Sequence, residues 1–268
     1  MDITLKFLLA LTRNMPKVRG MGKVSCVIRD FYARHPRPNV RTRIGDVTMT
    51  LNPNDSVEGE LLFHPHLYER EEREFLMRQL RAGDTFLDAG AHLGFFSLDA
   101  AKRVGRQGKV LAIEAHPVTH ARLTENFATN QLPQCFAVHQ GLSDAPGELP
   151  LTLETGNSGA NSFLIDRSER SIIVKCDTLL HVLLQNGIQS IQAAKFDLEG
   201  FEFRVLKAFF QEAPRSLWPR FILVEHFPDQ NARVGGSSKD LLLASGYEIA
   251  WQRHPRPNIV FELKKQVE

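Results

Sequence analysis

The chain has 268 residues, of which 43% are hydrophobic, and a formal net charge of +2. This composition allows one sizeable core and excludes disordered and collagen-like classes. Three widely spaced cysteines, Cys26, Cys135 and Cys176, predict neither a disulfide framework nor a CxxC zinc site. The apolar stretch Phe7–Leu11 is too short for a membrane span and lacks the features of a signal peptide. We therefore expect a reducing, cytoplasmic location.

Residues 1–67 are predicted to form a basic N-terminal extension with a helix and a hairpin. Residues 1–45 contain ten lysines or arginines against two acids. Such an excess of positive charge would suit an anionic acceptor, a phosphorylated carrier or a membrane surface, and it is equally typical of a solvated helical face. The alternating stretch Val40–Leu51 predicts the hairpin.

Residues 68–268 are predicted to form one α/β domain, organised around a strand, a tight turn and a helix at residues 84–98. The strand ends at Asp88. Glycines at positions 90 and 94 would let the backbone approach a ligand where a β-carbon would collide, next to a helix N-terminus. In an open α/β sheet, ligands bind beyond the carboxyl end of such a strand.

The glycine spacing indicates which ligand binds there. His92 stands where the dinucleotide fingerprint GxGxxG requires a glycine, so a pyrophosphate fits poorly. The turn suits instead a ligand with an amino-acid part, whose ammonium would lie near Asp88. A second apolar run ends at Glu114, where a carboxylate can accept both hydroxyls of a ribose. Together these features predict an S-adenosylmethionine pocket.

Further along the chain, strands and helices alternate, which predicts a parallel, doubly wound sheet. A third strand, Phe136–Leu142, is expected to end at Ser143 and Asp144, where they could bond the adenine amino group or form an ordinary turn. The polar stretch Leu149–Ser171 is predicted to be a long loop that acts as a substrate lid. Direct connection of the last two strands predicts an antiparallel pair.

A second chemically informative stretch is Ala193–Glu202. It predicts a fourth strand that lies beside the first, ends in an acid and turns through Gly200 into a helix. Asp197 and Glu199 would then face the ligand, and Lys195 would share a face with Asp197. Alternatively, these acids only favour a helix N-terminus, and the lysine neutralises them. His226, which follows an acid at the end of a fifth strand, is a candidate base.

Three blocks of sequence, Leu87–Gly94, Ile113–Pro117 and Lys195–Glu202, resemble those of the FkbM family of S-adenosylmethionine-dependent methyltransferases. With the strand end Leu223–His226, the resemblance covers roughly residues 68–230. It implies a Rossmann-like class I methyltransferase fold, in which a mostly parallel seven-stranded sheet has an antiparallel C-terminal strand. It also implies O-methylation of a hydroxyl, usually on a sugar or a natural product.

Carried over by resemblance, Asp88 and the two turn glycines would hold the methionine part, Glu114 the ribose and Asp144 the adenine. The family usually has Asn where His92 stands. The predicted cofactor-binding residues are Asp88, Gly90, His92, Gly94, Glu114, Ala115, Ser143 and Asp144, and the predicted catalytic residues are Lys195, Asp197, Glu199 and His226.

Sulfonium methyl transfer is an in-line displacement, so the chain must align the acceptor oxygen and exclude water. Asp197 or Glu199 could remove the hydroxyl proton late in the step. A magnesium ion could bind only if Asp177, Asp197 and Glu225 converged, and His64 and His66 have no third ligand evident from the sequence. We therefore predict no metal site.

The expected acceptor is a hydroxyl-bearing small molecule or glycan, which could be anionic or carried by another protein. Nucleic-acid binding is not expected, because no RNP-type motif is present. Two other classes share the fold: a non-catalytic module that binds the cofactor or a carrier, and a nicotinamide-dependent oxidoreductase, which would need the glycine that His92 replaces.

Overall fold

The computed structural model describes residues 3–15, 21–164, 170–226, 235–253 and 257–264. The chain forms two compact units. The first comprises Met1–Arg70 together with Glu154–Ala160, and the second comprises Glu71–Leu153 together with Asn161–Glu268. No sequence pattern predicted that residues 154–160 belong with the N-terminal unit.

The first unit consists of helices around a short hairpin. Its elements are α1 (Ile3–Arg13), α2 (Met21–Tyr32), β1 (Val40–Ile44), β2 (Val47–Leu51) and α3 (Ser56–Phe63). The predicted hairpin is confirmed, because Ile44 pairs with Val47 and the two strands run antiparallel. Every second residue of β1 is buried, as expected for a strand with one face on a core.

Asp55 connects residues 154–160 to the rest of the first unit. One oxygen of its carboxylate accepts a hydrogen bond from the Glu58 N–H and caps α3, while the other accepts one from the Ser158 N–H at 2.6 Å. The Ser56 N–H also donates to the Gly156 carbonyl at 2.8 Å. Because Asp55 is buried, both of its oxygens need such partners.

The second unit contains α4 (Arg70–Arg78, whose first residue belongs to the first unit), β3 (Thr85–Ala89), α5 (Phe95–Val104), β4 (Lys109–Glu114), α6 (Pro117–Thr129), β5 (Cys135–His139), β6 (Gly141–Ser143), β7 (Gly147–Thr152), β8 (Ser171–Thr178), α7 (Leu179–Gln185), β9 (Ala193–Phe196), α8 (Glu202–Glu212), β10 (Phe221–Glu225), α9 (Ser238–Ala244), β11 (Tyr247–Gln252) and β12 (Asn258–Leu263).

The predicted seven-stranded sheet has the order β11-β12-β10-β9-β3-β4-β5. Of the described strands of this sheet, β12 alone is antiparallel to the other six, which confirms the fold class predicted from the sequence.

The predicted third strand, Phe136–Leu142, is wrong as a single element. The chain leaves the large sheet after His139, and β6 joins a separate three-stranded sheet in the order β6-β8-β7. Gly141 makes this possible, since a β-carbon there would lie 2.6 Å from the sulfur of Cys176 on β8. The absence of a side chain at this position therefore allows β6 to pair with β8.

The predicted loop Leu149–Ser171 is also wrong at both ends. Strand β7 continues to Thr152 and pairs antiparallel with β8, which begins at Ser171. Residues 154–160 contribute to the first unit, and residues 165–169 lie outside the described residues. Strand β7 was concealed because it contains Gly147 and Pro150, which are rare in strands, and because only its last two residues are buried. The lid role stays a prediction.

The parallel register brings four strand ends to one edge of the large sheet. Ala89 pairs with Ile113 of β4 and with Phe196 of β9, and Phe196 pairs in turn with Val224 of β10. The residues that follow these paired positions are Gly90, Glu114, Asp197 and Glu225, and they therefore form a row along the carboxyl edge.

Across the described ranges, none of the helices has both the length and the apolar character that a membrane crossing requires.

Candidate functional site

The turn after β3 is shaped by backbone conformations that favour glycine. Gly90 and Gly94 have φ values of 78° and 82°, and His92 between them has a φ of 50°. A β-carbon at Gly90 would lie 1.9 Å from the carbonyl oxygen of Asp197, so no larger residue fits there. Non-glycine residues with positive φ are enriched in Asn and His, which explains why His is tolerated at position 92.

Asp88 is the most deeply buried acid at the sheet edge, with 1% of its surface exposed. Its Oδ2 accepts a hydrogen bond from Ser97 Oγ at 2.6 Å, whereas its Oδ1 has no hydrogen-bond partner. Burial raises the pKa of this carboxyl, and the nearby Lys195 ammonium and the Ser97 hydroxyl oppose the rise. The orphaned oxygen is a site at which a cationic ligand group could bind.

Glu114 ends β4 and fixes the backbone on both sides of it. Its Oε2 accepts from the His92 N–H at 2.9 Å, and its Oε1 accepts from the His116 N–H at 2.8 Å. Burial raises the pKa of this carboxyl to about 7, although both hydrogen bonds favour the charged form. The same carboxylate thus connects the glycine turn to the next predicted cofactor segment at Ala115, whose carbonyl oxygen lies 3.2 Å from His139 Nε2.

Ser143 and Asp144 stand at the end of β6 and not at the end of a strand of the large sheet. The buried Ser143 hydroxyl donates to Asp144 Oδ1 at 3.0 Å. The exposed Asp144 carboxylate also pairs with Arg204 of α8 at 3.4 Å. The structure therefore corrects their predicted placement on the third strand of the sheet, and their adenine role stays a prediction.

Lys195 lies on β9 and Asp197 directly follows the strand, so the two side chains share a face, as the strand period requires. The ammonium of Lys195 donates to Asp197 Oδ2 at 2.7 Å and lies 5.2 Å from the centre of the Phe96 ring. Lys195 is only 7% exposed, and a buried ammonium of this kind is stabilised by an anionic partner. The ion pair fixes the direction of the Asp197 carboxylate at the sheet edge.

The turn after β9 places Glu199 in an uncommon backbone conformation, with a φ of 49°. Buried Glu202 stabilises this turn, because its Oε1 accepts from the Leu198 N–H at 2.7 Å and from the Gly200 N–H at 3.3 Å. Ser162 Oγ also donates to the Glu199 carbonyl at 3.0 Å. Burial raises the pKa of Glu202 to about 7. A strained conformation held by several hydrogen bonds is typical of a functional turn.

Three carboxylates converge where β9 and β10 end. Oxygen atoms of Asp197, Glu199 and Glu225 all lie within 4.8 Å of one another. Asp177, whose convergence with Asp197 and Glu225 was the condition for a magnesium ion, lies on β8 and instead pairs with His181 at 2.6 Å and accepts from the Thr178 N–H. It does not join the other acids, because β8 belongs to the smaller sheet.

His226 follows Glu225 at the same edge, and its N–H donates to the Pro257 carbonyl at 3.0 Å. Burial lowers the pKa of its ring, and the Lys239 ammonium lowers it further. A neutral imidazole retains a lone pair that can accept a proton.

Two contributors to this edge were not assigned their roles from the sequence. Ser97 bonds Asp88 from the first turn of α5, and Glu202 holds the turn that carries Glu199. The role of Ser97 could have been predicted from its position, because it is a small polar residue in the first helical turn after the glycine loop. From the sequence alone, Glu202 could be interpreted only as an acid that favours a helix N-terminus. The backbone hydrogen bonds that it accepts depend on how the turn folds.

Residues 88–249 match the family described as the methyltransferase FkbM domain. The chain belongs to the FkbM methyltransferase family. A curated relative of this FkbM-family chain, methyltransferase sdnD of Sordaria araneosa, is 30% identical over 183 residues, which make up 56% of this chain and 67% of the relative. Membership in a methyltransferase family supports S-adenosylmethionine as the cofactor predicted from the sequence.

Other relatives match shorter regions of this FkbM-family chain. The 23S rRNA (uracil(1939)-C(5))-methyltransferase RlmD of Acinetobacter baumannii is 30% identical over 141 residues, and the match covers 45% of this chain and 30% of that protein. Among solved structures, methyltransferase FkbM from Methylobacillus flagellatus KT is 14% identical with a TM-score of 0.46 and covers 74% of this chain and 47% of that one.

Proposed function

We propose that this chain transfers a methyl group from S-adenosylmethionine to a hydroxyl of a sugar, a glycan or a natural product. The observation that carries the proposal is the unpartnered Oδ1 of Asp88, buried beside a turn where Gly90 leaves no room for a β-carbon. A buried carboxylate oxygen without a hydrogen bond costs free energy until a donor arrives. The ammonium of the cofactor's amino-acid part is a donor of the right charge.

The remaining cofactor contacts would follow the row of strand ends. Each oxygen of Glu114 already accepts one backbone N–H, and a carboxylate oxygen has two lone pairs. One acceptor site on each oxygen therefore remains for the two ribose hydroxyls. The glycine turn with His92 would enclose the methionine part, and Ala115 with Ser143 and Asp144 would border the adenine.

The acceptor hydroxyl would bind over the ends of β9 and β10. When bound, the cofactor supplies an electrophilic methyl group on a sulfonium centre. The chain must hold the acceptor oxygen in line with that methyl and receive the hydroxyl proton as the new bond forms. We assign this proton to a carboxylate oxygen of Asp197 or Glu199, with His226 as the other candidate base, because these groups lie at the edge where the methyl would be presented.

Lys195 would act by positioning. Its ammonium holds one oxygen of Asp197 at 2.7 Å, so the other oxygen keeps a fixed direction. A fixed base reduces the reorganisation that proton removal would otherwise require.

The acceptor is proposed to be a small molecule or glycan and not RNA, although relatives such as RlmD are named as rRNA methyltransferases. The basic first 45 residues suit an anionic or carrier-bound acceptor. A cytoplasmic location remains a prediction. The two other classes, a non-catalytic binding module and a nicotinamide-dependent oxidoreductase, are separated from the proposal by the experiment below.

The first measurement is calorimetric titration of the purified chain with S-adenosylmethionine and, separately, with NAD. The same titrations are made on Asp88→Ala and on Asp46→Ala, a control aspartate on the exposed hairpin turn. We expect the wild type to bind S-adenosylmethionine and not NAD. Asp88→Ala should weaken the affinity for S-adenosylmethionine by about 10-fold or more, and Asp46→Ala should leave it unchanged. Binding of NAD by the wild type would contradict the proposal in favour of the oxidoreductase class.

The second measurement offers methyl-labelled S-adenosylmethionine with sugar, glycan and natural-product hydroxyl acceptors, and in parallel with rRNA. Transfer to an oxygen of a small acceptor supports the proposal. Transfer to RNA alone would overturn the acceptor class but not the methyl transfer itself. Cofactor binding without transfer to any acceptor offered would favour the non-catalytic module.

A further inference from the structure

We propose that the first unit contains a zinc site, formed by Cys26 Sγ, the Glu60 carboxylate and the His64 imidazole. The ligand atoms of these three residues all lie within 4.8 Å of one another. Thiolate, carboxylate and imidazole are each common zinc ligands, and three protein ligands with an open fourth position are typical of sites that hold a water or a substrate. The site goes beyond the proposed methyl transfer, since all its residues belong to the other unit.

Two of the ligands come from the end of a single helix. Glu60 lies in α3, and His64 is the residue that caps it, with its N–H donating to the Glu60 carbonyl at 2.9 Å. Residues four apart on a helix lie on the same side, one turn above the other. The same spacing places the paired histidines of helical zinc sites on one face. Helix geometry thus brings both side chains together without any special loop.

The third ligand comes from α2, which packs against α3. Cys26 is a free cysteine, and its thiol lies beside the Glu60 and His64 side chains. A thiolate favours zinc over magnesium, because magnesium prefers oxygen ligands in an octahedral arrangement. The single sulfur therefore selects the class of metal.

Ser25, the residue before Cys26, orients the imidazole ring of His64. Ser25 Oγ lies 2.8 Å from His64 Nδ1, and both side chains are buried. In the tautomer in which Nδ1–H donates to this hydroxyl, the lone pair lies on Nε2. A hydrogen bond on the second ring nitrogen is the usual support of a metal-binding histidine. This contact is independent of the cluster itself.

The charged groups around the cluster are compatible with a divalent cation. The Arg29 guanidinium pairs with Asp30 at 2.8 Å and reaches Glu60 Oε1 at 3.3 Å, and His66 also lies close to His64. When a metal replaces the thiol proton of Cys26, the thiolate, Asp30 and Glu60 carry three negative charges against the one positive charge of Arg29. A bound Zn²⁺ would balance this excess of negative charge.

The sequence had drawn attention to His64 and His66 without a third ligand. Cys26 and Glu60 lie 38 and 4 residues away from His64 along the chain, counted from their positions. Only the packing of α2 on α3 brings the cysteine into reach. The widely spaced cysteine therefore gave no CxxC signal, and the prediction of no metal site is one that this proposal revises.

The test uses the full chain, freed of metal with a chelator and titrated with Zn²⁺, with Co²⁺ as a coloured substitute. We expect one Zn²⁺ per chain and a thiolate-to-cobalt charge-transfer band in the near ultraviolet. Cys26→Ser and His64→Gln should each weaken Zn²⁺ binding by about 100-fold or more, and Ser25→Ala by about 10-fold. Cys135→Ser is the matched control, because Cys135 is also free but lies in the other unit.

Circular dichroism and thermal unfolding of each metal-free variant show whether it is folded, and Cys26→Ser is the least disruptive because serine is nearly isosteric with cysteine. A folded Cys26→Ser that has lost the cobalt band supports the site. The proposal is overturned if the wild type gives no thiolate band, if the band persists in Cys26→Ser, or if it disappears in Cys135→Ser. Cofactor titration of the second unit is a separate readout, so failure here leaves the proposed methyl transfer untouched.

Discussion

Gly90 and Asp197 approach each other so closely that a β-carbon on the glycine would lie 1.9 Å from the aspartate carbonyl oxygen. Gly90 belongs to the turn after β3, and Asp197 follows the neighbouring strand β9. The proposed cofactor turn and the proposed catalytic turn therefore pack backbone to backbone. A change in one of them must displace the other.

Gly90→Ala is expected to destabilise the chain by about 3 kcal/mol or more and to abolish cofactor binding. Overpacking costs about 1–3 kcal/mol, and a left-handed backbone conformation adds about 1–2 kcal/mol for a non-glycine residue. Gly83→Ala is the control, because Gly83 has a φ of 91° but nothing within 4 Å of its added β-carbon. Urea unfolding and cofactor titration measure both effects, and equal losses in the two variants would show that the close contact is unimportant.

Asp197→Asn is expected to retain cofactor affinity within about 3-fold while turnover falls by about 10²–10⁴-fold, the usual contribution of a general base. The matched control is Asp99→Asn, since Asp99 is a partly exposed aspartate in an ion pair with Arg73 of the same unit. Asp197→Asn removes the anionic partner of Lys195, so each variant is first shown to be folded. Turnover and cofactor affinity are then measured separately. Full turnover in Asp197→Asn would remove this residue as the base and direct attention to His226.

Asp144→Ala should weaken cofactor binding, whereas Arg204→Ala should not. The Asp144 carboxylate contacts the Ser143 hydroxyl and the Arg204 guanidinium. If the carboxylate contributes only a surface ion pair, both variants change stability by about 0–1 kcal/mol and leave the affinity equal. If it borders the adenine, only Asp144→Ala raises the dissociation constant, by about 10-fold for one lost hydrogen bond to a charged group. Titration with S-adenosylmethionine distinguishes the two results.

The stability of the second unit should fall as pH rises from about 4.5 to about 7. Burial raises the pKa of Glu202 from 4.5 to about 7, so the folded chain binds more protons than the unfolded chain over this interval. The stabilisation is complete below pH 4.5 and is lost as the carboxyl ionises. The shift corresponds to about 3 kcal/mol as an upper limit.

Glu202→Gln tests this dependence, because the glutamine oxygen can still accept from the Leu198 and Gly200 N–H groups but cannot ionise. Urea unfolding at pH 5 and pH 8 should give a smaller difference for the variant than for the wild type. Glu114, whose pKa is also raised to about 7, and Asp88, whose pKa burial also raises, account for the dependence that remains. An unchanged difference in Glu202→Gln would exclude Glu202 as its source.

The sequence was sufficient for the parallel character of the large sheet, for the place of β9 beside β3 and for the row of acids at the sheet edge. Hydrophobic runs that end in Asp88 and Glu114, followed by helices, define parallel strands, and the right-handed crossover then determines where their ends lie. These hydrophobic runs are visible in the sequence because β3 and β4 are buried on both faces. The antiparallel C-terminal pair was predictable for a similar reason, since its connection is too short for a crossover.

The two wrong predictions concern segments whose structure depends on residues that are distant along the chain. The strand expected at Phe136–Leu142 divides because Gly141 faces Cys176, and the polar stretch 149–171 hid the edge of a second sheet. One exposed face on a strand weakens the hydrophobic signal that marks it.

The sequence by itself determined the family blocks, the glycine turn and the acids that end the strands, because these depend on residue type and on periods of two or 3.6 residues. Tertiary structure alone decided that Ser97 satisfies one oxygen of Asp88 and leaves the other unpartnered. It alone brought Cys26 to Glu60 and His64. Side-chain distances between separate elements are set by packing, and no local pattern encodes them.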